Sequence, residues 1–142
     1  MDPMSDISRD AAERLRRAGL VWHPQAGDRF VVLAEALVDE VFTVSDMVVE
    51  SHDHPTGTIL GFNGTTEWAL DSVRIEDALW LPREDQLRDL LGPAFRSLAR
   101  STTGWYQVLV EVPGRPEQVF DSENAADAYA EALLSLVKAA TS

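Results

Sequence analysis

The stretch Ala78–Gly92, ALWLPREDQLRDLLG, constrains the fold more than any other part of the chain. The four apolar residues before Pro82 predict a short buried strand or extended segment. Proline lacks a backbone N–H and suits the first position of a helix, so a helix is predicted to begin there. Leu87, Leu90 and Leu91 recur at three- and four-residue spacing and give this helix one apolar stripe. The glycine and proline that follow are expected to end it.

Helices and strands are predicted on both sides of this stretch. Helical spacing predicts a first helix over Ile7–Ala18, an added helical turn at Ala94–Ala99, and a last helix capped by Asp121 or Ser122. Strands are predicted at Phe30–Leu33, Val41–Val44, Met47–Ser51, Thr58–Phe62, Gly104–Val112 and Gln118–Phe120, with Val48–Phe62 forming a hairpin that has a long tip.

Turn sequences rather than helices connect most of these strands, which favours an antiparallel sheet over a parallel one. A chain of 142 residues is normally one domain. The sequence therefore predicts a single α+β domain over residues 1–142. We expect an antiparallel β-sheet of roughly four to six strands packed against two or three helices.

The chain is strongly acidic, with a formal net charge of −12. Residues 21–82 hold eleven acidic residues against two arginines. Proteins that bind nucleic acid need a cationic surface to displace counterions from phosphate, so DNA and RNA are not expected partners. Anionic membrane surfaces are disfavoured for the same reason. A basic protein partner would be attracted by this charge, which also serves solubility.

Cysteine usage and hydropathy indicate a cytoplasmic location. The chain has no cysteine, so it forms no disulfide and offers no thiolate. No apolar run approaches the roughly 20 residues that span a bilayer. The first ten residues, MDPMSDISRD, lack the charged and then apolar layout of a signal peptide.

No catalytic motif is present in the sequence. A serine hydrolase context of the form Gly-x-Ser-x-Gly is missing, as is a Gly-x-Gly-x-x-Gly dinucleotide turn. The run Gly61–Gly64 lacks the Lys-Ser/Thr end of a phosphate-binding loop. All three histidines lie in the first 54 residues. The sequence therefore predicts no catalytic residues and no cofactor, and it gives an enzyme no support.

His52, Asp53 and His54 form the one triplet with a metal-binding pattern. On a strand, positions 52 and 54 share a face, and two imidazoles with a carboxylate suit a divalent metal ion. The alternative is that these polar residues simply flank the turn at Pro55.

Tryptophans give the second set of candidate binding residues. Trp80, Arg83 and Asp85 are predicted to form a recognition edge at the start of the helix; the alternative places Trp80 in the core and Arg83 in solvent. Trp68 and Trp105 are candidate anchors for a protein partner, because partly exposed tryptophans contribute strongly to interfaces. The alternative for these two is also the core.

Four blocks of the chain carry a resemblance to a known family: VWHPQAGDRF, EVFTVSDMVVE, GFNGTTEWALDSV and ALWLPREDQLRDLLG. Together they resemble a family of short actinobacterial proteins that often bear the name "pilus assembly protein CpaE". Longer CpaE proteins resemble the ParA/MinD ATPases, whose phosphate-binding loop this chain lacks. The resemblance therefore implies a small cytoplasmic domain without ATPase activity, and it supplies no site residues.

Two functions are consistent with these features. The first is a non-enzymatic interaction protein of the adaptor, inhibitor or immunity type, whose acidic region or tryptophan-bearing edge meets a protein partner or a second copy of the chain. The second is a metal- or small-molecule-binding domain centred on His52, Asp53 and His54.

Overall fold

The computed structural model describes residues 6–33, 41–44, 49–54, 57–62 and 72–141; within these ranges, the side chains of 49–54, 57–62, 72–75 and 141 fall outside the description. The elements are α1 (Arg9–Ala18), β1 (Arg29–Val32), β2 (Val41–Thr43), β3 (Val49–His54), β4 (Gly57–Phe62), β5 (Ser72–Arg74), β6 (Ala78–Leu81), α2 (Glu84–Leu91), β7 (Phe95–Arg100), β8 (Tyr106–Val110), β9 (Gln118–Ser122) and α3 (Ala125–Thr141). Short 3₁₀ turns occupy Ile75–Asp77 and Gly92–Ala94.

The chain divides into two compact units. The helical unit comprises Met1–Val21 and Pro82–Ser142, and the inserted unit comprises Trp22–Leu81. The expectation of a single domain stays a prediction.

In the helical unit, three helices accompany a three-stranded antiparallel sheet of order β7-β8-β9. Helix α3 packs on β8 and β9, and it also contacts α1 and α2. Val108 and Val110 of β8 are buried, as the alternation of apolar residues along this strand predicts. On α2, Leu87 and Leu91 are buried while Leu90 is 45% exposed. The core of this unit therefore lies between α3 and the central strand.

The described residues of the inserted unit form two three-stranded antiparallel sheets, of order β2-β1-β6 and β3-β4-β5. Strand β6 is the buried strand expected before Pro82, and it pairs with β1 over four residues. The hairpin of β3 and β4 is confirmed, but its tip is not long, because the pairing continues to His54 and Gly57. An apolar cluster forms the core of this unit: Trp22, Phe30, Val32, Val44 and Ala78, with Phe42 and Trp80 packed against it.

The α+β class is confirmed, with the antiparallel β7-β8-β9 sheet packed against α3, but the described strands form sheets of three rather than one larger sheet. The helical turn expected at Ala94–Ala99 was a wrong prediction, since Phe95–Arg100 form strand β7. In this segment, pairing with Val108 and its neighbours on β8 overrides the local preference for a helix. No helix in the described part of the chain is both long and apolar enough to cross a bilayer.

The first and last helices begin a few residues later than predicted. Ser8 caps α1, where its Oγ accepts a hydrogen bond of 3.1 Å from the Ala11 N–H. Asn124 caps α3, where its Oδ1 accepts a hydrogen bond of 2.8 Å from the Ala126 N–H. Asp121 and Ser122, the expected caps, belong to β9 instead.

Candidate protein-binding cleft

A polar cleft of about 350 Å³ lies in the helical unit, along the edge strand β9 and between it and the first half of α1. Its lining includes Trp105, Val119 and four acidic residues: Asp10, Asp121, Asp127 and Glu131. We refer to it as the Trp105 cleft.

Trp105 is held by a fixed turn. Its backbone N–H donates a hydrogen bond of 3.1 Å to Ser101 Oγ, and its carbonyl accepts one of 2.7 Å from the Ser101 N–H. Gly104 closes this turn with a φ of 90°, a conformation that side-chain-bearing residues rarely adopt. The indole is 42% exposed. The turn therefore presents a large aromatic ring on a backbone that is already ordered.

Strand β9 forms the second wall of the cleft. Among the described strands only β8 pairs with it, so β9 lies at an edge of this sheet. The register places Val119 opposite Leu109 and Asp121 opposite Gln107. Val119 is 57% exposed, and Asp121 is exposed as well. The strand thus offers an apolar and an acidic side chain next to the indole.

Helices α1 and α3 form the remaining wall and are joined by hydrogen bonds. The Ser8 N–H donates to Asp127 Oδ1 over 2.7 Å. Arg14 Nη1 lies 2.5 Å from Glu131 Oε1, and its Nη2 lies 3.3 Å from Glu131 Oε2. This bidentate pair raises the pKa of the Arg14 guanidinium, chiefly through the hydrogen bond to Glu131. Asp127 and Glu131 therefore have structural partners already.

The cleft remains acidic after these pairings. Four carboxylates and one guanidinium line it. Asp10 is 85% exposed and lies 4.0 Å from Arg14, a separation at which an exposed pair contributes little. Asp10 and Asp121 are thus the carboxylates that face solvent. An aromatic face beside carboxylates attracts a cationic side chain, above all arginine, through cation–π and ionic contacts.

Two hydroxyl groups line the Trp105 cleft, those of Ser8 and Ser122. Ser8 Oγ accepts the Ala11 N–H and thereby caps α1.

The other predicted tryptophan sites lie elsewhere. Trp80 stacks on Trp22 in the core of the inserted unit, with ring centroids 6.4 Å apart and an interplanar angle of 10°. This arrangement matches the alternative prediction, in which Trp80 packs in the core and does not form a recognition edge. Trp68 lies outside the described residues.

Arg83 and Asp85 are brought together at the start of α2, where Arg83 Nε lies 3.2 Å from Asp85 Oδ1. Partial burial acts to raise the pKa of Asp85, but the hydrogen bond and charge of Arg83, with two backbone N–H groups, outweigh it and hold that pKa below its ordinary value. The Arg83 N–H also donates to Gln86 Oε1 over 2.9 Å. The pair serves the helix start and lies outside the Trp105 cleft.

His52, Asp53 and His54 lie on β3, so the strand expected for them is present. Their side chains fall outside the description, and the metal site therefore stays a prediction. Within the described residues, no group of three or more histidine and acidic side chains is placed to hold a metal ion.

The sequence predicted Trp105 as a binding residue, which stays a prediction, and it did not single out the carboxylates that line the same cleft. Asp10, Asp127 and Glu131 come from two helices whose contacts join residues 117 and 119 positions apart. Judged from its neighbours in the sequence, each is an ordinary solvated helix residue. No regular spacing in the sequence indicates that the three lie close together. The signal that could have helped is the alternation along the predicted strand Gly104–Val112, which separates Trp105 from the apolar face of Val108 and Val110.

No protein-family model, curated protein or solved structure matches the chain significantly. The resemblance to proteins named after CpaE therefore stays a prediction.

Proposed function

We propose that this protein is a non-enzymatic interaction protein that binds a basic, extended segment of a protein partner in the Trp105 cleft. The observation that carries the proposal is the 42% exposed indole of Trp105, set on a hydrogen-bonded turn beside solvent-facing carboxylates. Large aromatic residues on ordered backbone contribute much of the binding energy at protein interfaces, because little entropy is lost when they are buried.

The choice of a basic partner is supported by charge. The lining has a net charge of −3, and the whole chain has a net charge of −12. This charge accelerates encounter with a cationic partner and opposes approach to nucleic acid or an anionic membrane. The proposal includes a cytoplasmic location, which the absence of cysteine supports.

The choice of an extended segment is supported by the wall that β9 provides. An edge strand has main-chain N–H and C=O groups that a further strand can pair with, and alternate side chains of that strand then reach the neighbouring cleft. Val119 and Asp121 would contact such a segment directly.

The test is a titration of the protein with three synthetic ten-residue peptides: arginine-rich, neutral and acidic. Binding is followed by the NMR signal of the Trp105 indole N–H, assigned with the Trp105→Phe variant. We expect the arginine-rich peptide to shift this signal and Trp105→Ala to weaken binding about tenfold or more.

Leu90→Ala is the matched control, because Leu90 is 45% exposed in the same unit but lies outside the cleft. It should bind the peptide as the wild type does. Equal binding by Trp105→Ala, or equal affinity for the acidic peptide, would contradict the proposal.

A further inference from the structure

The sheet of the helical unit has two exposed edges of opposite charge. Strand β7 forms one edge, and Arg96–Arg100 are exposed along it. Its sequence FRSLAR holds two arginines and no acidic residue. Strand β9 forms the other edge, where Asp121 is exposed and Glu117 directly precedes the strand. The two edges are therefore electrostatically complementary.

We propose that β7 of one molecule adds to the β9 edge of a second copy of this chain, so that the protein associates with itself head to tail. This inference rests on the proposed function, since it names β7 as the basic extended segment that the Trp105 cleft accepts. It needs no segment beyond those in the structure.

Main-chain groups drive the pairing. The outer N–H and C=O groups of an edge strand can be paired by another strand, which is how strand addition acquires affinity. Both β7 and β9 are edges of the same sheet, because within the part of the chain that the structure describes each pairs with β8 alone. When β7 of one copy adds to β9 of the next, the outer main-chain N–H and C=O groups of both edge strands are hydrogen-bonded in a single contact.

Charge selects this pairing over the symmetric ones. Two β7 strands side by side would bring the arginines of one copy against those of the other. Two β9 strands side by side would bring Asp121 and Glu117 of one copy against the same acidic residues of the other. Like charges facing each other across a strand pair are destabilising, whereas opposite charges contribute favourably. Arginine on β7 therefore blocks self-pairing of that edge without blocking its pairing to an acidic edge.

The arginines of β7 make local contacts, and within the described residues none of these contacts is a strong ion pair. Arg96 is 45% exposed. Its Nη1 donates to the Pro93 carbonyl over 2.5 Å and to the Phe95 carbonyl over 3.3 Å, and its Nη2 lies 3.5 Å from Glu111 Oε1.

Arg100 Nε lies 3.5 Å from the Gly104 carbonyl, and its guanidinium lies 5.4 Å from the centre of the Tyr106 ring. The contact of Arg96 with Glu111 and those of Arg100 are long and solvent-exposed, so a carboxylate from another copy competes with them. The carbonyl bonds of Arg96 Nη1 can be kept.

The contact is heterologous, because it joins different surfaces of the two copies. Such a contact leaves a free β9 at one end and a free β7 at the other. We therefore expect assemblies larger than dimers that grow with protein concentration and dissociate as salt screens the charges.

A charge-swap experiment tests this inference by analytical ultracentrifugation. Variant one is Arg96→Glu with Arg100→Glu, and variant two is Glu117→Arg with Asp121→Arg. Each variant has two edges of one sign and should be monomeric where the wild type associates, its dissociation constant raised about tenfold or more. An equimolar mixture should associate again, because each edge then finds its opposite.

The control is Arg17→Glu with Lys138→Glu, which changes net charge as much as variant one does but lies on α1 and α3, away from both edges. It should associate as the wild type does. Far-UV circular dichroism and thermal unfolding of every variant establish that it is folded. A monomeric wild type at millimolar concentration and low salt, or a mixture that stays monomeric, would overturn the inference.

A peptide with the sequence of Phe95–Arg100 separates this inference from the proposed function. If it competes with assembly and shifts the Trp105 indole signal, the inference is supported. If an unrelated arginine-rich peptide binds the cleft while the chain remains monomeric, self-association is wrong and the proposed function stands. If neither peptide binds and the chain is monomeric, both are wrong.

Discussion

Trp22 donates its indole N–H to the buried carboxylate of Asp28, with Nε1 and Oδ2 2.9 Å apart. The same oxygen accepts the Gln25 N–H over 2.9 Å. Asp28 is 2% exposed and is the single buried charged side chain among the described residues. The pair therefore ties the loop before β1 to the apolar cluster of the inserted unit, since Trp22 also stacks on Trp80.

Asp28→Ala should lower the free energy of unfolding by about 3 kcal/mol, because it leaves two donors without their acceptor in a water-excluded site. Chemical denaturation followed by circular dichroism measures this loss. Trp22→Phe is the matched control, since it removes one hydrogen bond and part of the ring, and it should cost less than Asp28→Ala. An Asp28→Ala protein with an unchanged denaturation midpoint would contradict this role.

Asn124→Ala should lower the free energy of unfolding by about 1 kcal/mol, because the Ala126 N–H loses its capping acceptor. The Asn124 amide also donates to the Asp6 carbonyl, which adds to the loss. Ser122→Ala is the control: the sequence offers Ser122 as a cap, but the structure places it in β9, where its Oγ accepts a long hydrogen bond of 3.4 Å from the Asn124 N–H, so its removal should cost less than about 0.5 kcal/mol. Equal costs for the two variants would show that the cap is misassigned.

Burial raises the pKa of the Tyr129 hydroxyl, and the positive charge of Arg88 offsets only part of that effect. Since the folded pKa lies above the unfolded value of about 10, the native state retains the proton more tightly. The stability that this contributes is complete below pH 10 and is lost as pH rises through the folded pKa.

Unfolding measured between neutral and strongly alkaline pH should therefore show a decline that Tyr129→Phe reduces. Removal of the opposing charge in Arg88→Ala should move the titration of the Tyr129 phenol to still higher pH, as followed by ultraviolet absorbance. A Tyr129→Phe protein with the same alkaline decline as the wild type would refute this assignment.

Asp85 should titrate below its ordinary range because of Arg83, whose Nε lies 3.2 Å away. The folded pKa is lower than the unfolded one, so the stabilising contribution is present above the unfolded value of about 3.9 and is lost as pH falls through the folded pKa. NMR titration of the side-chain carboxyl carbon measures the midpoint directly.

Arg83→Ala should raise the Asp85 midpoint toward its ordinary value, whereas Arg96→Ala should leave it in place because Arg96 pairs with Glu111 instead. The Asp85 carboxylate is 58% exposed, so solvent screens the interaction and the effect on overall stability is small. An unmoved midpoint in Arg83→Ala would exclude the ion pair as the cause.

Local sequence determined the elements whose signals are short-range. The run of apolar residues before Pro82 forms β6, and the leucines after it form α2, because a buried strand and an amphipathic helix each follow from the period of their own side chains. Gly92 ends the helix region with a φ of 57°, as its position predicts. The two faces of β8 follow from alternation in the same way, with Val108 and Val110 buried.

Tertiary structure alone decided β7, the α3 cap and the Trp105 cleft. Phe95–Arg100 have no strong strand pattern and become a strand because β8 offers them partners. The expected caps, Asp121 and Ser122, are used by the ladder to β8, so the cap moves to Asn124.

The cleft depends on α1 meeting α3 across more than a hundred residues, through contacts such as that of Arg14 with Glu131. Hydrophobic periodicity determines which face of each helix is buried, but it carries no information on which helix will be its neighbour. Packing therefore decides which solvated carboxylates stand beside the exposed tryptophan.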